Sequence, residues 1–132
     1  MIKKINHVGI VVKSIEDALD LYVNTLGFKQ AEIFTSKEDG IKTVMVSLNE
    51  VTLELMEPID PQGGIQKFLE RRGEGIHHIS LEVDDINQER DSMVSKGIRL
   101  IEKRPRYFEG AWVSFVHPNS TRGVLMELIQ WA

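Results

Sequence analysis

Short apolar segments and amphipathic segments alternate along the first half of the chain. Residues 5–12 are apolar and β-branched, which predicts a buried strand. An apolar stripe at helical spacing runs from Ile15 to Leu26, with Ser14 as the N-terminal cap and Gly27 as the stop. Three further strands are predicted at 29–35, 41–48 and 51–57. This half therefore predicts a βαβββ module.

The same order of elements returns after a break. Residues 58–64 contain two prolines and two glycines, which predicts an irregular linker, and a short helix is predicted at 65–72. A strand at 76–83 and a helix at 86–96 follow, and Gly97 ends that helix. The last three strands are predicted at 98–103, 111–116 and 123–130.

The repetition predicts an α+β fold made of two tandem βαβββ modules around a central cleft. The modules span about 3–57 and about 76–130, and residues 58–75 form the linker and the short helix. One module alone leaves a face of its sheet uncovered, so two copies related by a pseudo-twofold axis would close a cleft. With 132 residues, the chain is expected to be a single domain, 1–132.

Composition narrows the possible functions. The net charge of −4 argues against a general nucleic-acid binder, and no apolar run has membrane-spanning length. The N-terminus lacks the apolar stretch of a signal peptide, which favours a cytoplasmic protein. The absence of cysteine excludes disulfides and thiolate metal sites. A metal ion would have to bind histidine and carboxylate side chains, which suit a divalent first-row ion.

One histidine and one glutamate recur at nearly the same place in each half. His7 and His78 are 71 positions apart, and Glu54 and Glu127 are 73 positions apart. Each glutamate stands between apolar strand residues, where a carboxylate is costly to bury unless it is paired or bound to a cation. Taken singly, a strand histidine is more often a hydrogen-bonded core residue, and a strand glutamate usually faces solvent. The repetition favours a divalent metal site formed by all four residues.

Several segments carry a resemblance to a known family: 6–12, 53–58, 68–79, 117–118 with Ser120, and 123–128. Together with the paired modules, they resemble the vicinal oxygen chelate (glyoxalase/bleomycin resistance/dioxygenase) superfamily and, within it, the methylmalonyl-CoA epimerases. The resemblance implies the vicinal oxygen chelate fold, with His7, Glu54, His78 and Glu127 as ligands of cobalt, manganese, nickel, zinc or iron. It also implies an acyl-CoA substrate and a homodimer.

The resemblance further implies two catalytic residues. Glu38 stands in the loop 37–41, where epimerases carry an acidic residue taken as the base that removes the C2 proton. An acidic loop tip is also typical of a solvated turn. Glu127 would serve as the second acid-base besides binding the metal, which stabilises the enolate. A bound water is the alternative, because a carboxylate on a metal is a weaker base.

The segment 104–112 departs from the family, whose members carry a small, glycine-rich loop here. Tyr107, Phe108 and Trp112 could shape the acyl pocket, or they could pack the loop or a dimer contact. His77 is expected to be a surface or packing residue, and His117 is expected to be a turn residue. Two rival functions remain: a glyoxalase I-like lactoylglutathione lyase, which needs no Glu38, and a non-catalytic binding or resistance protein of the same fold.

Overall fold

The computed structural model describes residues 1–132. Its elements are β1 (Ile2–Val11), α1 (Ile15–Leu19) continued by a π-helical segment (Asp20–Thr25), β2 (Lys29–Gln30), β3 (Phe34–Ser36), β4 (Ile41–Leu48), β5 (Val51–Pro58), α2 (Gly64–Arg72), β6 (Gly75–Val83), α3 (Ile86–Ser95), β7 (Arg106–Phe108), β8 (Ala111–Val116), a 3₁₀ turn (Pro118–Ser120) and β9 (Met126–Trp131). No helix has the length and apolar character needed to cross a membrane. The predicted α+β class with a repeated strand–helix–strands order is confirmed.

The chain divides into two compact units, which we call the first unit (His7–His77) and the second unit (Met1–Asn6 with His78–Ala132). In the first unit the strand order is β2-β4-β5-β1. The parallel pairing of β1 with β5 sets Gly9 opposite Glu54, and β5 runs antiparallel to β4. The core under α1 contains Val12, Ile15, Val44, Val46 and Leu55, packed by Ala18, Leu19, Tyr22 and Val23.

In the second unit the strand order is β1-β6-β9-β8-β7, with the first residues of β1 at one edge. Strand β6 runs parallel to β9 and sets Ser80 opposite Glu127, while β9 and β8 are antiparallel. Asp85 caps α3 by accepting a hydrogen bond from the Gln88 backbone N–H. The core between this helix and the sheet contains Val83, Ile86, Val116 and Leu128, with Met93 and Met126 packed against them.

The predicted strand at 98–103 is wrong. Leu100 forms a single bridge with Val116, and no ladder develops. Ile98 and Leu100 instead pack against the core beneath α3, and Arg90 of α3 donates a hydrogen bond to the backbone carbonyl of Glu102 at 2.9 Å. The strand paired with β8 is β7, which lies further along the chain.

Two details of the first unit also differ from prediction. The helix loses its regular α pattern after Leu19, because the backbone N–H of Leu26 bonds the carbonyl of Leu21, five residues earlier. Leu26 is consequently half exposed rather than part of the buried stripe. The strand predicted at 29–35 is divided into two short strands, β2 and β3. Each of them pairs with β4 in the antiparallel sense.

Candidate functional site

The first unit buries a histidine beside a carboxylate. Alternation along β1 turns His7, Gly9 and Val11 to a buried face, and the register with β5 brings Glu54 onto it. The His7 Nε2 and Glu54 Oε1 atoms are 3.4 Å apart, and the two residues are 3% and 5% exposed. A buried carboxylate is costly unless it has a partner or binds a cation, and His7 is such a partner for Glu54.

The second unit repeats the arrangement with one addition. His78, Ser80 and Glu127 share a buried face of β6 and β9. The His78 Nε2 and Glu127 Oε1 atoms are 3.9 Å apart, and the Ser80 hydroxyl donates a hydrogen bond of 2.7 Å to the same carboxylate oxygen. The His78 ring also meets the Phe115 ring edge-to-face, with 5.7 Å between centroids.

These side chains suit a divalent metal ion. His7, Glu54 and His78 are buried, and each offers one ligand atom to an ion. Imidazole nitrogen and carboxylate oxygen are donors that first-row divalent metals accept, and no competing thiolate exists in a chain without cysteine. The donor set therefore fits the cofactor class predicted from the sequence.

Glu38 lies in an exposed turn between β3 and β4. This turn is anchored at its base, because the carbonyl of Gly40 accepts hydrogen bonds from the backbone N–H groups of Ile59 and Asp60 at 2.9 and 3.2 Å. Ser36 and Asp39 add a side-chain hydrogen bond of 2.8 Å across the loop. These hydrogen bonds hold the backbone on both sides of Glu38. The catalytic role of Glu38 stays a prediction.

The aromatic residues of segment 104–112 fall on opposite faces of the β7–β8 hairpin. Tyr107 pairs with Trp112, and Phe108 pairs with Ala111. Directly opposed residues share a face, so alternation along β8 places the Tyr107–Trp112 pair on the side covered by α3. Phe108 instead packs with Ala111, Val113 and Ile129, which lie on the Glu127 face.

The two remaining histidines have structural surroundings. The His77 ring packs edge-on against Phe68 of α2, with 5.0 Å between centroids. Burial lowers the pKa of His77 below its ordinary value. The His117 Nδ1 atom accepts a hydrogen bond from the backbone N–H of Asn119 and so caps the 3₁₀ turn. Both match the packing and turn roles expected from the sequence.

Two polar contacts of β6 were not predicted from the sequence. Ser80 donates its hydroxyl to Glu127, and Glu82 accepts hydrogen bonds from the Asn6 side chain at 2.9 Å and the Trp131 indole at 3.3 Å. The Asn6 hydrogen bond lowers the pKa of Glu82 below its ordinary value. The available signal was alternation, because Ser80 and Glu82 follow His78 on the same face of one strand.

Comparison with known proteins identifies the family. The sequence matches the family model described as the Glyoxalase/Bleomycin resistance protein/Dioxygenase superfamily over residues 6–115. A Dictyostelium discoideum protein named "Methylmalonyl-CoA epimerase, mitochondrial" is 38% identical over 129 residues, which cover 96% of this chain and 78% of the relative. The chain belongs to the methylmalonyl-CoA epimerase family of this superfamily.

Further members of the epimerase family match along nearly the whole chain. The Cereibacter sphaeroides "Ethylmalonyl-CoA/methylmalonyl-CoA epimerase" is 35% identical over 133 residues, with 98% of this chain and 99% of that protein covered. A solved structure of methylmalonyl-CoA epimerase in complex with methylmalonyl-CoA and NH4+ has a TM-score of 0.93 at 28% identity, covering 100% of this chain and 96% of that chain. The superfamily, the family and the vicinal oxygen chelate fold expected from the sequence are confirmed.

Proposed function

We propose that this chain is a metal-dependent epimerase that inverts C2 of methylmalonyl-CoA or a related 2-substituted acyl-CoA. The observation that carries the proposal is the buried histidine–carboxylate pair in each half, His7 with Glu54 and His78 with Glu127. The pairs occur in a chain whose relatives named above act, by their names, on methylmalonyl-CoA or ethylmalonyl-CoA. A divalent cation and an acyl-CoA are therefore the proposed cofactor and substrate.

The two pairs are proposed to bind one divalent ion, which is cobalt, manganese, nickel, zinc or iron. When bound, the ion supplies a Lewis acid that lowers the energy of negative charge developing on the thioester oxygen. The four side chains supply two imidazole nitrogens and carboxylate oxygens from positions that are nearly closed to solvent. Burial strengthens the attraction between these carboxylates and a cation, because little water screens it.

Proton transfer at C2 needs a group on each face of the substrate. We assign Glu38 to one face, because its exposed turn is anchored through Gly40 and its carboxylate is accessible to a substrate. Glu127 is assigned to the other face, in addition to its role as a ligand. A productive base must lie within about 3 Å of the carbon-bound proton, either directly or through one water.

The test is hydrogen exchange at C2. The purified, cobalt-loaded protein is incubated with methylmalonyl-CoA in D2O, and the C2 proton signal is followed by NMR beside a reaction without enzyme. Glu38→Gln is expected to lose most of the exchange, on the order of 100-fold or more. The matched control is Glu32→Gln, which alters another exposed carboxylate of the same unit and should keep the exchange rate.

The outcomes separate the alternatives. Exchange no faster than without enzyme, in a protein that binds cobalt, would contradict epimerisation of this substrate. Equal loss in Glu38→Gln and Glu32→Gln would contradict the role of Glu38. Isomerisation of a glutathione hemithioacetal with an unimpaired Glu38→Gln variant would favour the glyoxalase I-like reaction instead.

We also propose a homodimer located in the cytoplasm. Apolar side chains support self-association, since Ile5 and Ile76 are largely exposed on β1 and β6. Size-exclusion chromatography with light scattering at several concentrations gives the mass in solution. A monomer mass at all concentrations would contradict the dimer, and fractionation of the source cells tests the location.

A further inference from the structure

The carboxylate of Glu127 is held by a serine hydroxyl from the neighbouring strand. Ser80 is fully buried, and its Oγ donates to Glu127 Oε1 at 2.7 Å. The contact depends on the register of β6 with β9, which sets these residues directly opposite each other. A short hydrogen bond from a hydroxyl to a buried carboxylate is a strong, charge-assisted contact, and it restricts the orientation of the carboxylate.

The first unit has no hydroxyl at the corresponding place. There β1 pairs with β5 in the same parallel sense, and the residue opposite Glu54 is Gly9. Gly9 stands two residues after His7, as Ser80 stands two residues after His78. The two halves of the repeat therefore share histidine and glutamate but differ in this hydroxyl, so the two carboxylates are not equivalent.

We infer that Ser80 is a positioning residue, which fixes the Glu127 carboxylate in the orientation that binds the divalent cation. The inference rests on the proposed function, because Glu127 is there one of the four ligands. Without the hydroxyl, the Glu127 side chain would have to lose its rotational freedom when the cation binds. With the Ser80 hydroxyl present, the rotation of the Glu127 side chain is already restricted before the cation binds. Groups that orient metal ligands in this way typically change metal affinity about 10–100-fold when removed.

The test measures cobalt binding rather than turnover. Co²⁺ is titrated into the metal-free protein by calorimetry, and the visible spectrum of the bound ion is recorded. Ser80→Ala is expected to weaken Co²⁺ binding by about tenfold or more and to shift the cobalt absorption bands. Ser114→Ala is the matched control, because Ser114 is equally buried but its hydroxyl contacts Arg90 and the Glu102 carboxylate.

A double variant separates positioning from a general loss of structure. If Ser80 acts through Glu127, Ser80→Ala should have little further effect on cobalt affinity once Glu127→Ala is present. Thermal unfolding of each variant without metal reports whether the fold is retained. An unchanged affinity and spectrum in Ser80→Ala would overturn the inference, as would an equal loss in Ser114→Ala or effects that simply add in the double variant.

The same samples separate this inference from the proposed function. A protein that binds Co²⁺, responds to Ser80→Ala as expected and exchanges no C2 proton would lack the proposed activity while the role of Ser80 stands. A protein that exchanges the proton while Ser80→Ala binds cobalt normally would have the activity without that role. Failure of the unaltered protein to bind Co²⁺ would overturn the inference directly.

Discussion

Replacing Gly40 by alanine should destabilise the turn that carries Glu38. Gly40 has φ +68°, a left-handed conformation, and a Cβ built there would lie 2.6 Å from the Cβ of Asp60. The Asp60 atom is next to the backbone and cannot swing away as the end of a long side chain could. A shift of the backbone that relieves this contact would also weaken the hydrogen bonds that the Gly40 carbonyl accepts from Ile59 and Asp60.

The expected loss of stability has two parts. A left-handed conformation costs an L-residue roughly 1–2 kcal/mol, and an atom forced into a filled space costs about 1–3 kcal/mol more. Gly40→Ala should therefore lower the free energy of unfolding by about 2–5 kcal/mol. Gly27→Ala is the matched control, since Gly27 has φ +85° and nothing within 4 Å of its added Cβ. Only the conformational cost applies at Gly27.

Urea unfolding of the two variants and the unaltered protein measures these differences. Gly40→Ala should be the less stable variant by about 1–3 kcal/mol, the share assigned to the contact with Asp60. Because Glu38 lies two residues before Gly40, proton exchange at C2 should fall in this variant at temperatures where the protein is still folded. Equal destabilisation by the two substitutions would refute the reasoning about Asp60.

Four further results are expected. Leu55→Ala should lower the free energy of unfolding in urea by about 2–5 kcal/mol, because Leu55 is fully buried in the core of the first unit. The pKa of Glu82 lies below its ordinary value of 4.5, so its charged form stabilises the fold above that pH and the contribution is lost as pH falls. Glu82→Gln should flatten the thermal stability profile in this acid range, and a profile as steep as that of the unaltered protein would contradict the assignment. Trp112→Ala should change the ratio of kcat/KM between methylmalonyl-CoA and bulkier acyl-CoAs less than about twofold, since Trp112 lies on the face of the sheet opposite Glu127. Removing divalent metal with EDTA should abolish C2 exchange, and restoring cobalt should return it.

The repeated residues show what the sequence can predict about this site. The repeat singled out His7 and His78 as members of one site, and both residues are 3% exposed in the structure. The same reasoning placed the glutamates between apolar neighbours, and the structure brings each near the histidine of its own half. Such predictions succeed because burial and alternation are local properties of a strand.

Register and turn conformation were harder to predict. The hydrogen bond from Ser80 to Glu127 joins residues 47 positions apart, so it depends on which residues of β6 and β9 stand opposite each other. The turn between β7 and β8 uses Glu109 and Gly110, both with positive φ. Two-residue hairpin turns favour asparagine, aspartate or glycine at the first position, so glutamate gave little sign of the hairpin. The apolar residues Ile98 and Leu100 predicted a full strand, but this segment forms only a single bridge with β8 and otherwise packs against the core through its side chains.

The division of β1 has a consequence for the order of folding during synthesis. Residues 7–77 are continuous in sequence, so the first unit can collapse while the ribosome still holds the rest of the chain. The second unit must wait, because its edge needs Met1 to reach Asp84 and Asn6 to reach Glu82, across 83 and 76 positions. Closing so long a loop is entropically costly and slow. Residues 1–6 would thus pair only after the much later residues 78–132 have been synthesised.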